Sequence, residues 1–298
     1  MIDALLSTPL DRLSAKLLGP AEFDFALPPG EPSVIAPDSV SWRVFANPVS
    51  MYIGGMAAVL LELGEPRVRH GVWDHSSFRR DPAGRLRRTG MAAMVTVYGA
   101  RSSFEAMAAR VRRMHGRITG TTPEGLAYSA EDPELLLWVQ VTAAYGFLEA
   151  YHAYVRPIGA AQRDRYYAEA EAGAALYGVQ EPPLSQGAVD AVFARMQPTL
   201  EPSPILGELL DILRTAPILP LPLRPMQRVA VRAAVDLVPP SLRRQLGLAG
   251  QPRPRPGERA LLKALAQLAE RTHLPSSPAA QALQRMGLSS DRHGRTAA

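Results

Sequence analysis

The sequence of 298 residues contains no cysteine. A chain without thiols forms no disulfide and offers no thiolate to a metal, which excludes zinc–thiolate sites, iron–sulfur clusters and thiolate-bound haem. Any iron would have to be held by histidine, methionine, tyrosine or carboxylate side chains. The six histidines are therefore the first side chains to consider as ligands.

Lysine is almost as scarce, since only Lys16 and Lys263 occur among the 33 basic residues. The arginines give the chain a formal net charge of +5, but they are scattered among aspartates and glutamates. No pattern of aromatic residues between basic ones accompanies them, as nucleic-acid binding by base stacking would require. We therefore expect no nucleic-acid partner.

Long apolar runs are also missing. The longest one, residues 49–61, is shorter than the roughly 20 residues that a membrane-spanning helix needs. The first residues carry Asp3 and Asp11 and show no basic start followed by an apolar stretch, so they do not resemble a secretory signal. We expect a cytoplasmic protein without a membrane span.

Strand-like alternation is rare, whereas helical spacing of apolar residues recurs along the chain. The sequence predicts an all-α fold, a single large helical bundle domain with proline-rich C-terminal segments. The predicted helices cover residues 2–18, 48–63, 90–98, 102–120, 135–155, 161–177, 186–196, 204–214, 225–238 and 259–271. We divide the chain into an N-terminal helix and lead-in (1–40), the helical domain (41–248), and a linker, short helix and frayed tail (249–298).

The helix from Ser102 to Gly120 carries the most informative histidine. Ser102 can cap this helix with Glu105, and His115 falls on its apolar side while several arginines fall on the other. A lone inward histidine with an open site opposite is what a five-coordinate haem requires. On pattern alone, a histidine in such a place is more often a hydrogen-bonded core residue, so both interpretations stay open.

Other familiar sites are absent from the sequence. Glu149 and His152 have the spacing of a di-iron helix motif, but the motif occurs once where two copies are needed. Asp74 and His75 precede a turn and can hydrogen-bond locally.

The pair Gly54-Gly55 predicts a very close neighbour, either another helix or a flat ligand.

Four blocks carry a resemblance to a known family. They are DHSSFRRDPAGRLRRT (74–89), VRRMHGRITG (111–120), GLAYSAEDPELLLWVQVT (125–142) and PLRPMQRVAVRAAVDLVPPSLRRQLGL (222–248). In order and spacing they resemble the latex-clearing-protein family, which groups bacterial rubber oxygenases with a fungal oxygenase of mycophenolic acid biosynthesis. The resemblance covers about residues 42–247.

This resemblance implies an all-helical fold, a b-type haem held by one proximal histidine, and cleavage of isoprenoid double bonds with dioxygen. His115 matches the haem-ligating histidine, and Arg85 and Thr89 match an arginine and a threonine beside the haem. Arg88 falls where rubber oxygenases can place a lysine as a distal iron ligand, and arginine is a poor ligand because it stays protonated. Gln140 stands where many relatives have histidine.

The sequence therefore predicts a haem-dependent oxidoreductase, an oxygenase that uses haem b iron and dioxygen on a small lipophilic substrate such as an isoprenoid or a natural product. One alternative is a haem-free protein that binds lipids or terpenoids in the same pocket. Another is a haem-independent natural-product enzyme in which Asp74, His75 or Glu149 transfers protons.

Overall fold

The fold described here is that of a computed structural model, which describes residues 23–272 and 274–288. The predicted helix over residues 2–18 lies outside these ranges. The all-α prediction is confirmed, since helices account for nearly all regular structure in the described ranges. They are α1 (Val40–Ala46), α2 (Pro48–Glu62), α3 (Pro66–His75), α4 (Pro82–Tyr98), α5 (Arg101–His115), α6 (Pro133–Tyr154), α7 (Ala160–Glu169), α8 (Glu171–Leu176), α9 (Gln186–Met196), α10 (Pro204–Thr215), α11 (Arg224–Leu237), α12 (Pro240–Gln245), α13 (Pro256–Arg271) and α14 (Pro278–Arg285).

Proline in the first turn and a polar residue before it start many of these helices. The side chain of Asn47 accepts hydrogen bonds from two backbone amides at the start of α2, and Asp132 does the same for α6. Proline suits the first turn because its missing N–H would have no partner there. The many prolines therefore divide the chain into helices without breaking their interiors.

Helices α2 and α6 form the centre of the bundle and run antiparallel. They cross at Gly54 and Gly146, where a Cβ atom on Gly54 would lie only 2.6 Å from the carbonyl oxygen of Gly146. Of the two explanations offered for the glycine pair, the close helix applies to Gly54. Gly55 instead borders the ring of Phe147, 3.6 Å from where its Cβ would be.

A small hairpin follows α5, where the sequence predicted continued helix. Strand β1 (Thr119–Thr121) pairs antiparallel with β2 (Ala127–Ser129), so the predicted helix end at Gly120 is wrong. Glycine suits position 120 inside the hairpin, because a Cβ atom there would clash with the hydroxyl end of Tyr128 unless that side chain shifted. The helix itself ends at His115.

Two further helix predictions differ from the structure. Ser102 does not cap α5, because its backbone N–H and its hydroxyl both donate to the carboxylate of Glu31, at 2.6 and 2.8 Å. The predicted helix over residues 161–177 is divided into α7 and α8 at Ala170.

The C-terminal helices pack onto the bundle. Helix α13 buries Leu262 and Ala266. Helix α14 occupies residues where the sequence predicted a frayed tail from Ser276 onward. It is fixed by the guanidinium of Arg285, which is 3% exposed and donates to the carbonyl oxygens of Phe25 (2.6 Å), Glu31 (2.8 Å) and Tyr98 (2.9 Å).

Within the described residues, no helix is by itself long and apolar enough to cross a bilayer. Helices α1 and α2 reach the necessary length and composition only when taken together, and the chain bends by 96° between them.

Candidate functional site

One side of the central helix α2 faces accessible space. Its half-buried residues Tyr52, Gly55, Val59 and Glu62 follow each other at intervals of three, four and three positions, while most other residues of α2 are buried. Residues with this spacing share one face of a helix. A core helix with a single accessible line of side chains borders a cleft.

The neighbouring helix α6 has a matching line. Leu136, Gln140, Ala143 and Phe147 are half-buried at intervals of four, three and four positions. The ring of Phe147 approaches Gly55 of the first line, so the two lines border the same space. We call this space the α2–α6 cleft.

The carboxyl group of Glu62 lies at one end of the cleft. Burial raises the pKa of Glu62 to about 7, and the positive charge of Arg85 acts in the opposite direction. A side chain that is strongly desolvated and yet keeps accessible surface lies deep in a cleft. In the sequence, Glu62 looks like an ordinary charged residue at the end of an apolar helix, and no motif marks it as a site residue.

Arg85 reaches the same region from α4. Asp81 caps this helix by accepting a hydrogen bond of 2.9 Å from the backbone N–H of Gly84, so Arg85 sits in the first helical turn. Its guanidinium is half-buried, and burial lowers its pKa while the charge of Glu62 raises it. Arg85 thus interacts electrostatically with the cleft carboxyl without forming an ion pair with it.

His115 is the last residue of α5. Burial lowers the pKa of its imidazole, the charge of Arg85 lowers it further, and the charge of Glu131 raises it. The ring is therefore mainly neutral at pH 7, the form that binds a metal ion. The side of α5 that was predicted to face inward includes Phe104, Met114 and His115. Phe104 is fully buried and His115 is half-buried, but Met114 is 50% exposed.

Five polar side chains of this region have no internal partner. Among the residues that the structure describes, no hydrogen bond or ion pair is made by the side chains of Tyr52, Glu62, Arg85, His115 and Gln140. Only the hydroxyl of Tyr52 among them is fully enclosed, whereas the polar atoms of the other four keep accessible surface and are free to bind a ligand that enters the cleft. This cluster is the candidate functional site.

The other two residues predicted beside a haem do not share this environment. Thr89 is exposed, and its hydroxyl donates to the backbone oxygen of Arg85 at 3.0 Å. Arg88 is exposed and donates to the hydroxyl of Ser77 at 2.6 Å and to the carboxylate of Asp81 at 3.4 Å. Of the three, only Arg85 is half-buried at the cleft.

The residues considered for haem-independent proton transfer each have a structural partner. His75 shares a hydrogen bond of 3.0 Å with the hydroxyl of Tyr128, which ties α3 to the hairpin. Asp74 lies 3.1 Å from a ring nitrogen of His70. Glu149 forms a close ion pair with Arg163 on the neighbouring helix α7. The structure does not gather them into one site.

His115 and Arg85 have the side-chain chemistry that a haem requires of a protein. In the described part of the chain, no three histidine or carboxylate side chains come together as a metal site, so a bare ion has no ligand set. A porphyrin supplies four nitrogen ligands itself and requires one side chain, which a neutral imidazole without a partner can provide. Arg85 offers an unpaired cation to a carboxylate group of such a cofactor.

A second concave region lies elsewhere on the surface. It is a groove of about 420 Å³ between the start of α10 and residues 246–248. No titratable side chain lines this groove, so it offers no chemistry comparable to that of the α2–α6 cleft.

One of three comparisons with known proteins identifies the family of this chain. No curated protein and no solved structure matches the chain significantly. A sequence model described as "ER-bound oxygenase mpaB/B'/Rubber oxygenase, catalytic domain" matches residues 42–271, well over half of the chain. This range extends through α13, beyond the last block of the resemblance. The chain therefore belongs to this family of oxygenase catalytic domains and is an oxidoreductase that uses dioxygen and a substrate.

Proposed function

We propose that this protein is a haem-dependent oxygenase that acts on a small lipophilic substrate in the α2–α6 cleft, with His115 as the protein ligand of the iron. The observation that carries the proposal is the half-buried imidazole of His115, which makes no side-chain hydrogen bond to a described residue and lies within electrostatic reach of Arg85, the cation that also acts on Glu62.

The haem, when bound, supplies the activation of dioxygen. His115 would hold it from the end of α5, and Arg85 would neutralise one of its carboxylate groups. Arg85 also lowers the pKa of His115, which keeps the imidazole free of a competing proton. The first role requires an imidazole nitrogen with a free lone pair, and the second requires a cation without an ion-pair partner. His115 and Arg85 meet these two requirements.

Glu62 is suited to hold or to accept a proton at its carboxyl oxygens. With a pKa of about 7, the group is present in both protonation states near neutral pH, where general acid–base catalysis is most effective. We propose that Glu62 exchanges a proton with the substrate during the reaction.

The walls of the cleft support the proposal of a lipophilic substrate. Between the polar side chains, α2 contributes Val59 and α6 contributes Leu136, Ala143 and Phe147. Apolar walls with a few polar groups are usual in sites for small organic ligands. Cleavage of a carbon–carbon double bond is the reaction that we propose there.

A hemin titration of the purified chain tests the proposal. We expect one equivalent of hemin to give a sharp Soret band, and the change His115→Ala to abolish it. The matched control is His70→Ala, which removes a half-buried imidazole paired with Asp74 and should leave the band intact. A Soret band of full strength in His115→Ala would contradict the assignment.

A haem-free lipid- or terpenoid-binding protein is the second candidate. The observation in its favour is that the α6 line is mostly apolar, with Leu136, Ala143 and Phe147, and would accept an oily ligand without a cofactor. Such a protein stays colourless when hemin is added and still binds the ligand, whereas the oxygenase turns coloured.

A further inference from the structure

Helix α13 has an apolar side that faces solvent. Leu261, Leu265 and Leu268 are 46%, 37% and 46% exposed, and their spacing of four and three positions places them on one face. The inner side of the same helix buries Leu262 and Ala266. We call the three exposed leucines the leucine face of α13. Single exposed apolar residues are common, but three on one helix face are typical of a surface that packs against something else.

The other strongly exposed apolar residues do not form such a face. Leu27, Leu184 and Leu221, for example, are 51%, 46% and 73% exposed, but each lies in a separate segment of the chain. The leucine face therefore differs from the scattered apolar surface that any folded protein retains.

The N-terminal part of the chain supplies a matching segment. Residues 1–22 lie outside the described ranges, and the sequence predicts a helix within them. Because proline is accepted in the first turn of a helix, the prediction is strongest from Pro9 onward. Leu10, Leu13 and Leu17 follow at intervals of three and four positions and share one face. They span seven positions, about 10 Å of helix, as the leucine face of α13 does.

The described chain begins near the C-terminal end of α13. The backbone N–H of Phe25 donates to the side-chain oxygen of Gln281 at 3.3 Å, and the side-chain amide of Gln281 donates to the backbone oxygen of Ser276 at 2.9 Å. Ser276 follows the last residue of α13, Arg271, by five positions. The N-terminal segment is thus attached beside α13. The residues at the other end of the chain, 289–298, contain no large apolar side chain that could cover leucines.

We propose that residues 9–18 form a helix whose leucines pack on the leucine face of α13. The two helices run in the same direction, because the N-terminal segment is attached at the C-terminal end of α13. Burial of the facing leucines against each other stabilises this contact. The N-terminal segment is then part of the folded domain and not a separate lead-in.

The contact also supports the centre of the bundle. The backbone oxygen of Ala266 accepts a hydrogen bond of 2.8 Å from the side chain of Asn47, the residue that caps α2. The carboxylate of Glu270 accepts one of 2.8 Å from the hydroxyl of Tyr151 on α6. Helix α13 therefore holds one end of both central helices, and the N-terminal helix holds α13 from outside.

The absence of cysteine allows a cross-linking test in the full chain. Leu13→Cys and Leu265→Cys are introduced together, and the protein is treated with a short bismaleimide, which joins two thiols that lie close together. We expect most of the protein to become cross-linked within a single chain, as seen by its altered migration in a denaturing gel. The control combines Leu13→Cys with Leu184→Cys, an exposed leucine of another segment, and should give no such cross-link.

Hydrogen exchange provides a second measurement that does not depend on the register of the two helices. Replacing Leu10, Leu13 and Leu17 together by serine should make the backbone amides of α13 exchange at least tenfold faster, while those of α9 keep their rates. Leu18→Ser, which changes a leucine outside the predicted face, serves as the control and should leave α13 protected.

A cross-link within one chain together with faster exchange of α13 in the triple variant supports the proposal. Cross-links that form only between two chains overturn it and assign the leucine face to a second copy of the protein. Unchanged exchange of α13 in the triple variant also overturns it, whatever the cross-linking shows. Neither measurement uses haem or turnover, so both are independent of the proposed function.

Discussion

Gly54 and Gly146 are in backbone contact. A Cβ atom on Gly146 would lie 2.5 Å from the carbonyl oxygen of Gly54, and a Cβ on Gly54 would be almost as close to Gly146. Neither neighbour is a flexible side chain that could move aside. This contact sets the distance between α2 and α6, and hence the width of the cleft beside them.

The change Gly54→Ala should therefore destabilise the protein, although alanine favours helix. We expect a loss of about 1–3 kcal/mol, the usual cost of an overpacked core position, measured by urea unfolding. Gly187→Ala, at an exposed helical position with no neighbour within 4 Å, should be neutral or slightly stabilising. Equal stability of Gly54→Ala and wild type would show that the helices are not in contact there.

The raised pKa of Glu62 predicts a pH dependence of stability. The folded protein holds a proton up to about pH 7, whereas the unfolded chain releases it near its ordinary value of 4.5. Below pH 4.5 both states hold the proton, and Glu62 does not reduce the free energy of unfolding. As the pH rises from 4.5 to about 7, only the unfolded chain releases the proton, so the free energy of unfolding falls. We expect Glu62→Gln to remove this loss and to be about 2–3 kcal/mol more stable than wild type at pH 8.

Urea unfolding between pH 4.5 and 8 measures this effect. The matched variant Glu171→Gln removes an exposed carboxylate of α8 and controls for the change in net charge. If wild type and Glu62→Gln keep the same difference in stability at every pH, the carboxyl of Glu62 is not desolvated.

Arg85 influences His115 through its charge, which gives a prediction for the imidazole. Replacing Arg85 by glutamine should raise the pKa of His115, because the cation now lowers it. An NMR titration of the imidazole protons, with the His115 signal assigned from His115→Ala, measures the change. Arg88→Gln removes an exposed arginine of the same helix and should leave this pKa in place. An unchanged pKa of His115 in Arg85→Gln would show that the charge of Arg85 does not act on the imidazole.

Arg285 should be important for stability. The change Arg285→Met leaves several buried acceptors without a donor, among them the carbonyl oxygens of Phe25 and Tyr98. We expect a loss of about 2–4 kcal/mol in chemical unfolding, because each unsatisfied buried group costs about 1–3 kcal/mol. Arg271→Met, at an exposed end of α13, should have little effect. A fully stable Arg285→Met would mean that α14 does not depend on these bonds.

The sequence predicted those features that depend on local patterns. The long apolar helix α6 was evident from Asp132 and the run that follows it, and the all-α class followed from helical spacing. His115 was selected by its place on the apolar side of its helix and by the resemblance, and Arg85 by the resemblance. The structure places the two side chains within electrostatic reach of each other. Their roles as ligand and cation remain predictions.

Features that depend on distant contacts could not be predicted in the same way. Gly120 looked like a helix end, because the approach of Tyr128 across the hairpin is invisible in the sequence. Glu62 and Tyr52 could have been noticed as the two polar positions on the line that includes Gly55 and Val59. Assigning that line to a cleft required knowing that every other side of α2 is covered.

The bonds of Arg285 also have a topological consequence. Phe25 and Arg285 are 260 positions apart in sequence and yet share a hydrogen bond, so the described chain nearly closes into a ring. A short tether between residues 288 and 23 would complete that ring, and new ends could then be opened in an exposed turn such as the one at Gly125. Circularly permuted forms of this oxygenase should fold, and they would separate the order of its helices along the chain from their arrangement around the cleft.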